Sequence, residues 1–184
     1  MKYNINKQFL NKLHKGVQNW HRDKYISQDE GWDYNRLEKS MDKYDDLLSY
    51  FETEHNVCKI GSGDDRIIFT SGNIVTGPSN TVIKVSRGDG TNQNETEVNV
   101  SKSLEEELNS DVTEYIAPII DYDKSYRWVI QRRADQVTPS SSTKVVKNKF
   151  NDIGWFCSDI KPDNVGLLNG EPVLIDFGFG MRKK

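Results

Sequence analysis

The sequence predicts an α+β protein in which an N-terminal helical extension precedes a sheet. Two patterns lead to this prediction. Over residues 1–55 apolar side chains recur at helical spacing, whereas from about residue 57 short apolar runs are bounded by Gly, Asn and Asp, as is typical of strands and turns. Within the second part, Gln93–Leu108 returns to helical spacing. The chain therefore combines a helical part with a sheet that has one internal helix.

The first 55 residues contain two amphipathic helices. The first carries an apolar stripe formed by Ile5, Phe9, Leu10, Leu13, Val17 and Trp20. After a break near residues 29–31, a second stripe is formed by Leu37, Met41, Tyr44, Leu47, Leu48 and Phe51. Because such a stripe needs an apolar neighbour, both helices are expected to pack on the rest of the chain or on a partner.

Short apolar runs between turn-forming residues mark five expected strands: 57–61, Arg66–Thr70, 81–85, 116–122 and 128–131. A polar linker is expected over residues 138–143 and a short helix over 144–152. The chain then forms a hairpin from Val165–Leu168 and residues 172–175. An Asn-Gly dipeptide joins these two strands, and it is typical of tight hairpin turns.

Composition excludes several classes of function. The 28 acidic residues outnumber the 25 basic ones, which argues against a general nucleic-acid binder. No run approaches the roughly 18 apolar residues of a membrane span, and the first 20 residues lack the apolar core of a secretory signal. Two cysteines, Cys58 and Cys157, are too few for a disulfide framework or a structural zinc site. We therefore expect a reduced, cytoplasmic protein that binds neither nucleic acid nor membrane.

Residues that carry chemistry concentrate near the C-terminus. Asp159 and Asn164 lie on one expected loop, and the hairpin that follows should bring Asp176 back close to Asn164. A carboxylate and an amide oxygen together suit Mg²⁺. Asp159 and Lys161 then supply a base and a cation beside the metal. Metal, base and cation are the parts that phosphoryl transfer requires.

Two motifs here resemble those of the protein-kinase-like superfamily. Residues 157–164 read Cys-Ser-Asp-Ile-Lys-Pro-Asp-Asn and match the family's catalytic loop, with Cys157 and Ser158 in place of the usual His and Arg. Residues 176–178 read Asp-Phe-Gly, the family's metal-binding tripeptide. The resemblance covers about residues 57–180. It implies a five-stranded antiparallel N-lobe sheet with one αC-like helix, and a reduced C-lobe that carries the catalytic and metal-binding hairpins.

The resemblance also implies a role for each residue of these motifs. Asp159 would orient and deprotonate an acceptor hydroxyl, and Lys161 would screen the transferring phosphate. Asn164 and Asp176 would hold Mg²⁺. The implied cofactors are ATP and Mg²⁺.

Upstream residues resemble the start of the family's glycine-rich loop. Gly61, Ser62 and Gly63 would let backbone N–H groups approach the phosphates of ATP. Arg66 stands where the family has its third glycine. The acidic pair at residues 64–65 puts two negative charges near the expected triphosphate. The loop thus departs from the family pattern at three positions.

Further residues match the family's nucleotide site. Lys84 matches the strand lysine that pairs with the α- and β-phosphates. Its carboxylate partner should come from the following helix; Glu97 is the first choice and Glu95 the alternative, because both lie early in that helix and the sequence does not decide which one faces Lys84. After the fifth strand, the backbone around Gln131 and Arg133 would bond the adenine.

The expected organisation is a helical extension over residues 1–55, an N-lobe and hinge over 56–137, and a truncated C-lobe over 138–184. The expected function is transfer of the γ-phosphate of Mg-ATP to a hydroxyl, foremost a Ser or Thr of a protein. A pseudokinase-like module that binds a nucleotide or a partner without transfer is the alternative, and AMP transfer is a third. Expected partners are ATP and a protein substrate or partner, with self-association left open.

Overall fold

The computed structural model describes residues 2–29, 33–63, 65–88, 93–108, 112–135 and 141–184. Its helices are α1 (Lys7–Asp29), α2 (Tyr34–His55), α3 (Gln93–Leu108) and α4 (Ser141–Asp152). Its strands are β1 (Asn4–Ile5), β2 (Lys59–Ser62), β3 (Arg66–Thr70), β4 (Val75–Thr76), β5 (Thr81–Ser86), β6 (Ile119–Tyr122), β7 (Trp128–Arg132), β8 (Trp155–Cys157), β9 (Val165–Leu168), β10 (Glu171–Leu174) and β11 (Met181–Lys183).

A five-stranded sheet with the order β2-β3-β5-β7-β6 forms the centre of the protein, and every neighbouring pair is antiparallel. The α+β class and the five-stranded antiparallel sheet are confirmed. Each of its five strands lies within two residues of a predicted run, except that β6 begins at Ile119 and not at residue 116. Ile116 instead forms a bridge with Leu174, which anchors this part of the chain to the C-terminal hairpin.

Two other boundaries differ from the sequence prediction. Helix α4 begins at Ser141, inside the expected polar linker, because hydroxyl side chains are well suited to the first turn of a helix. The rest of that expected linker, residues 138–140, lies outside the described residues. Helix α1 extends to Asp29, so of the expected break only residues 30 and 31 remain, and both also lie outside the described residues.

Helices α1 and α2 pack on one face of the sheet. Their buried side chains join those of alternate sheet residues in one core, formed by Leu10, Leu13, Val17, Tyr44 and Phe51 with Ile67, Phe69, Ile83, Val85, Trp128 and Ile130. The two helices approach closely at Gly16, where a Cβ atom would lie 2.0 Å from Leu47 Cδ2. The helical extension therefore supplies part of the core that covers this face of the sheet.

The opposite face of the sheet carries the residues that alternate with this core. Ile68 of β3 lies directly across from Lys84 of β5, and Val82 lies across from Gln131 of β7. Because side chains along a strand alternate between faces, Arg66 shares this second face with Ile68 and Lys84. The second face of the sheet thus carries two positively charged side chains, those of Arg66 and Lys84.

The C-terminal part forms a second core around α3 and α4. It comprises Val100, Leu104, Val112, Ile116, Val146, Phe150, Trp155, Cys157, Val165, Leu174 and Phe177. Two small antiparallel pairs, β9 with β10 and β8 with β11, complete it. The second face of the sheet therefore meets a C-terminal unit that is held together by its own apolar side chains. No helix among the described residues has the length and apolar character needed to cross a membrane.

Substitution Phe51→Ala should lower the free energy of unfolding by about 3–5 kcal/mol, the usual loss for a fully buried phenylalanine. Phe51 is 0% exposed and packs in the shared core of α2 and the sheet. Urea denaturation followed by circular dichroism measures this change. Met41 on the same helix is 47% exposed, so Met41→Ala should change the value by no more than about 0.5 kcal/mol. Equal effects of the two substitutions would contradict the packing of α2 on the sheet.

Candidate active site

A cleft of about 200 Å³ lies between the second face of the sheet and the C-terminal hairpin. Its lining residues are Ile60, Ile68, Val82, Lys84, Gln131, Arg132, Arg133, Ala134, Asp163, Ile175 and Asp176. The sheet contributes apolar side chains from β2, β3 and β5, and Ile175 contributes another from the end of the hairpin. The cleft thus combines apolar walls with the charged side chains of Lys84 and Asp176.

Lys84 is held by a carboxylate from helix α3. Its Nζ donates to both carboxylate oxygens of Glu97, at 2.8 and 2.9 Å, and to the carbonyl oxygen of Ile175 at 2.6 Å. Glu97 is 0% exposed, whereas Glu95 is only half-buried. Of the two carboxylates that the sequence left open, the structure therefore pairs Lys84 with Glu97.

Arg66 joins the same cluster. Its guanidinium donates to Glu97 Oε1 at 2.8 Å and to Asp176 Oδ1 at 2.6 Å, and a third bond reaches Asn94 Oδ1 at 3.3 Å. The side chain is only 3% exposed. In the sequence, Arg66 stands out only because it occupies the place of the third glycine of the expected loop. The period of two along β3, which puts it on the same face as Lys84, is the signal that could have found it.

Glu97 also accepts the backbone N–H of Phe177 at 3.1 Å. This one carboxylate therefore binds groups from β3, from β5 and from the segment that follows β10. The cluster contains two cations, Arg66 and Lys84, and two carboxylates, Glu97 and Asp176. Its formal charges sum to zero, which is what allows four ionised groups to lie together in a largely buried site.

Electrostatics in the cluster favour an ionised Asp176. Burial alone would raise the pKa of this carboxyl, but the charges of Arg66 and Lys84 outweigh burial and hold the pKa below its ordinary value. The carboxylate is therefore charged at neutral pH. For Lys84 burial is the largest influence and lowers the pKa, against the opposing effect of Glu97.

The expected catalytic loop brings its three predicted functional residues together, Asp159, Lys161 and Asn164. Asn164 Nδ2 donates to the carbonyl oxygen and to Oδ2 of Asp159, both at 2.8 Å. Lys161 Nζ lies 3.3 Å from the same Oδ2. A short 3₁₀ turn over Pro162–Asn164 fixes this arrangement, and the carboxylate of Asp159 is 36% exposed. A molecule in solvent can therefore reach the carboxylate of Asp159.

The hairpin β9–β10 returns the chain as the sequence predicted. Its turn uses Asn169 and Gly170, both with positive φ, which is the backbone conformation of a type I′ turn. The carbonyl oxygen of Asn164 accepts the N–H of Ile175 at 2.8 Å and that of Asp176 at 3.4 Å. The two expected metal ligands thus lie at the base of one hairpin.

The donor chemistry at this hairpin suits Mg²⁺, which takes oxygen ligands and usually only one or two carboxylates from protein. The amide nitrogen of Asn164 donates to Asp159, so the amide oxygen is the atom of this side chain that could bind a metal. Asp176, however, has one oxygen bound by Arg66. In the described part of the chain, no three His, Cys, Asp or Glu side chains are grouped so as to hold a metal ion. Asn164 and Asp176 would hold a metal at this site together with water or phosphate oxygens, which usually complete the coordination of Mg²⁺.

The expected glycine-rich loop is the β2–β3 hairpin. Gly61 lies across from Ile68, and the N–H of Gly63 donates to the carbonyl oxygen of Arg66 at 2.9 Å. The hydroxyl of Ser62 accepts a bond from the Arg87 side chain. Of this hairpin's β2 strand only Ile60 lines the cleft, and residue 64 lies outside the described residues. Gly61, Ser62 and Gly63, which are expected to bind phosphate, thus follow Ile60 directly in the chain but are not among the residues that line the cleft.

The two expected hinge residues both line the cleft. The Gln131 side chain is buried and donates to the carbonyl oxygen of Ala117 at 3.0 Å. The backbone N–H of Arg133 donates to the carbonyl oxygen of Asn80 at 2.9 Å. To donate to an adenine, that N–H would therefore have to break its hydrogen bond with Asn80.

Cys157 is the first residue of the expected catalytic loop and is buried. The thiol belongs to the second apolar core and is 7% exposed. Burial raises the pKa of this thiol, so at neutral pH it is protonated and a poor nucleophile.

Comparison with known proteins supplies no family for this chain. No protein-family model matches it, and no curated protein is a relative by sequence. Function must therefore rest on the geometry of the site.

Substitution Glu97→Gln should lower the free energy of unfolding by about 3–5 kcal/mol, because it leaves two buried cations with a single carboxylate. Thermal and urea denaturation measure the change. The matched control is Glu95→Gln on the same helix, expected within about 0.5 kcal/mol of the unchanged protein. A larger loss for Glu95→Gln than for Glu97→Gln would mean that Glu95 is the partner of Lys84.

Proposed function

We propose that this chain is an ATP-dependent phosphotransferase of the protein-kinase-like class, which moves the γ-phosphate of ATP to a hydroxyl, foremost that of a Ser or Thr in a protein. The observation that carries the proposal is the buried Lys84–Glu97 pair beside an apolar cleft. Asp176 lies within the same ion cluster, and the hairpin before it begins at the loop of Asp159. These are the parts of a site for phosphoryl transfer.

The size and lining of the cleft favour a nucleotide base as its occupant. About 200 Å³ is below the roughly 300–1,000 Å³ of sites that enclose a whole drug-sized ligand. A flat aromatic base fits such a volume between Ile68 and Val82 on one side and Ile175 on the other. The phosphates would then extend toward the charged end of the cleft, where Lys84 lies.

The charged end of the cleft suits phosphate groups. Lys84 is fixed by Glu97 and by the carbonyl oxygen of Ile175, so its ammonium group is already positioned before a ligand arrives. A cation held in this way contributes to transition-state stabilisation without first having to be ordered. Mg²⁺, when bound, would be held by Asn164 and Asp176 and would neutralise phosphate charge.

Asp159 would act on the acceptor. Its Oδ2 accepts from Asn164 and lies near Lys161, so the carboxylate has a fixed orientation, yet more than a third of it is exposed. It could therefore receive the proton of an incoming hydroxyl while Lys161 balances charge on the transferring phosphate. Proton transfer by a positioned group of this kind contributes about 10²–10⁴-fold to a rate.

A pseudokinase-like module that binds a nucleotide or a partner without transfer is the second candidate. The ion pair between Arg66 and Asp176 favours it, because one oxygen of the expected metal ligand is already bound by a buried guanidinium. The exposed and oriented Asp159 favours transfer instead. We place the transferase first for this reason.

ATP should raise the melting temperature of the protein, because a ligand that binds only the folded state stabilises it by RT ln(1 + [L]/Kd). Lys84→Met should raise the Kd for ATP at least tenfold, since it removes the cation of the cleft. The matched control is Lys59→Met on the exposed strand β2, which should follow the unchanged protein. Circular dichroism checks that both variants fold. No shift at millimolar ATP with the unchanged protein would contradict nucleotide binding.

Transfer of label from [γ-³²P]ATP to a general acceptor such as dephosphorylated casein should fall at least 100-fold in Asp159→Asn. ATP binding should be retained, because Asn preserves the shape of the side chain. The control is Asp152→Asn at the exposed end of α4, which should keep full activity. Full transfer by Asp159→Asn would contradict the assigned base, and transfer from [α-³²P]ATP would indicate AMP transfer.

A further inference from the structure

We propose that Arg66 is a built-in counter-ion for Asp176, which excludes divalent cations from this carboxylate in the nucleotide-free protein. The proposal goes beyond phosphate transfer and rests on the proposed function only in taking Asp176 as the carboxylate that faces a cation. It assigns a specific electrostatic role to the residue that replaces the third glycine of the loop.

The contact between the two side chains is close and charged. Arg66 donates to Asp176 Oδ1 at 2.6 Å, slightly shorter than the roughly 2.7–2.9 Å usual for bonds between a cation and a carboxylate. Lys84 neutralises the same cluster without touching Asp176, since its own bonds go to Glu97 and to the carbonyl oxygen of Ile175. Arg66 is thus the cation in direct contact with the expected metal ligand.

Arg66 is also anchored and cannot simply swing into solvent. Besides Asp176, its guanidinium bonds Glu97 at 2.8 Å and Asn94 at 3.3 Å, and only 3% of the side chain is exposed. A guanidinium has five donors in a fixed planar fork, which suits several acceptors at once. A cation that approaches Asp176 therefore meets a positive charge held in place by two other residues.

The charges around Asp176 disfavour the binding of a free divalent cation. The cluster already balances two cations against two carboxylates, so a further double positive charge would be uncompensated. Outside the cluster, the carboxylate of Asp159 lies 3.3 Å from the ammonium group of Lys161, and Asp163, which also lines the cleft, brings only one negative charge. Charges in a buried site are poorly screened by salt, so the repulsion persists at physiological ionic strength. Cation entry at Asp176 would need new negative charge, such as that of phosphates.

Mn²⁺ alone, without nucleotide, is the probe for this inference. Its electron paramagnetic resonance signal reports the free ion, so a titration gives the number of bound ions and their Kd. The unchanged protein and Asp176→Asn should bind Mn²⁺ equally weakly, with Kd in the millimolar range or above. Arg66→Gln should gain one site at least tenfold tighter, and the double variant Arg66→Gln/Asp176→Asn should lose it. Arg87→Gln, an arginine that contacts the same β2–β3 hairpin at Ser62, should gain nothing.

Two results would overturn the proposal. One is a Mn²⁺ site in the unchanged protein that disappears in Asp176→Asn, and this comparison needs no Arg66 variant to fold. The other is folded Arg66→Gln that binds Mn²⁺ no better than the unchanged protein. Neither measurement contains ATP, so a failure of ATP binding would count against the proposed function and leave the outcome for Arg66 intact.

Discussion

The site depends on one buried carboxylate, that of Glu97. It accepts hydrogen bonds from Lys84 on β5, from Arg66 on β3 and from the backbone of Phe177 after β10. An ionised group that is fully buried is tolerated only when its oxygens are bonded and its charge is balanced. The sheet, helix α3 and the C-terminal hairpin must therefore meet in one arrangement for the protein to fold. The same arrangement positions the groups that would handle phosphate.

One face of the sheet carries the apolar side chains that stabilise the protein, and the other carries the charged side chains of the candidate site. One face carries side chains such as Ile67 and Ile83 and is covered by α1 and α2, so its burial follows from apolar contact alone. This frees the other face to carry Arg66 and Lys84, which apolar packing would not accommodate. The helical pair thus stabilises a sheet whose second face is committed to charge.

Much of this architecture follows from short-range signals in the sequence. Short apolar runs between turn-forming residues predict the strands, and the bounds of α3 are those given by its helical spacing. The Asn-Gly turn predicts the β9–β10 hairpin, and with it the return of Asp176 to Asn164. These features depend on neighbours close in the chain, which is why spacing alone reveals them.

Features that depend on how elements are rotated or docked could not be predicted. Glu95 and Glu97 lie on different sides of α3, and only docking on the sheet selects Glu97. An amphipathic stripe on α1 or α2 indicates an apolar neighbour without saying which one. Arg66 was recognised as an unusual residue, but its two carboxylate partners come from distant parts of the chain. The likeness to kinases remains a prediction, because it concerns what the site does.

Isotope labelling of the isoleucine δ1-methyl groups offers the most direct test that the cleft is a nucleotide site. The methyl resonances of Ile60, Ile68 and Ile175, which line the cleft, should move on titration with ATP. Those of Ile67 and Ile83, which lie on the opposite face of the sheet, should stay nearly fixed. Shifts confined to the opposite face, or no shift at millimolar ATP, would contradict the central claim that the second face of the sheet binds a nucleotide.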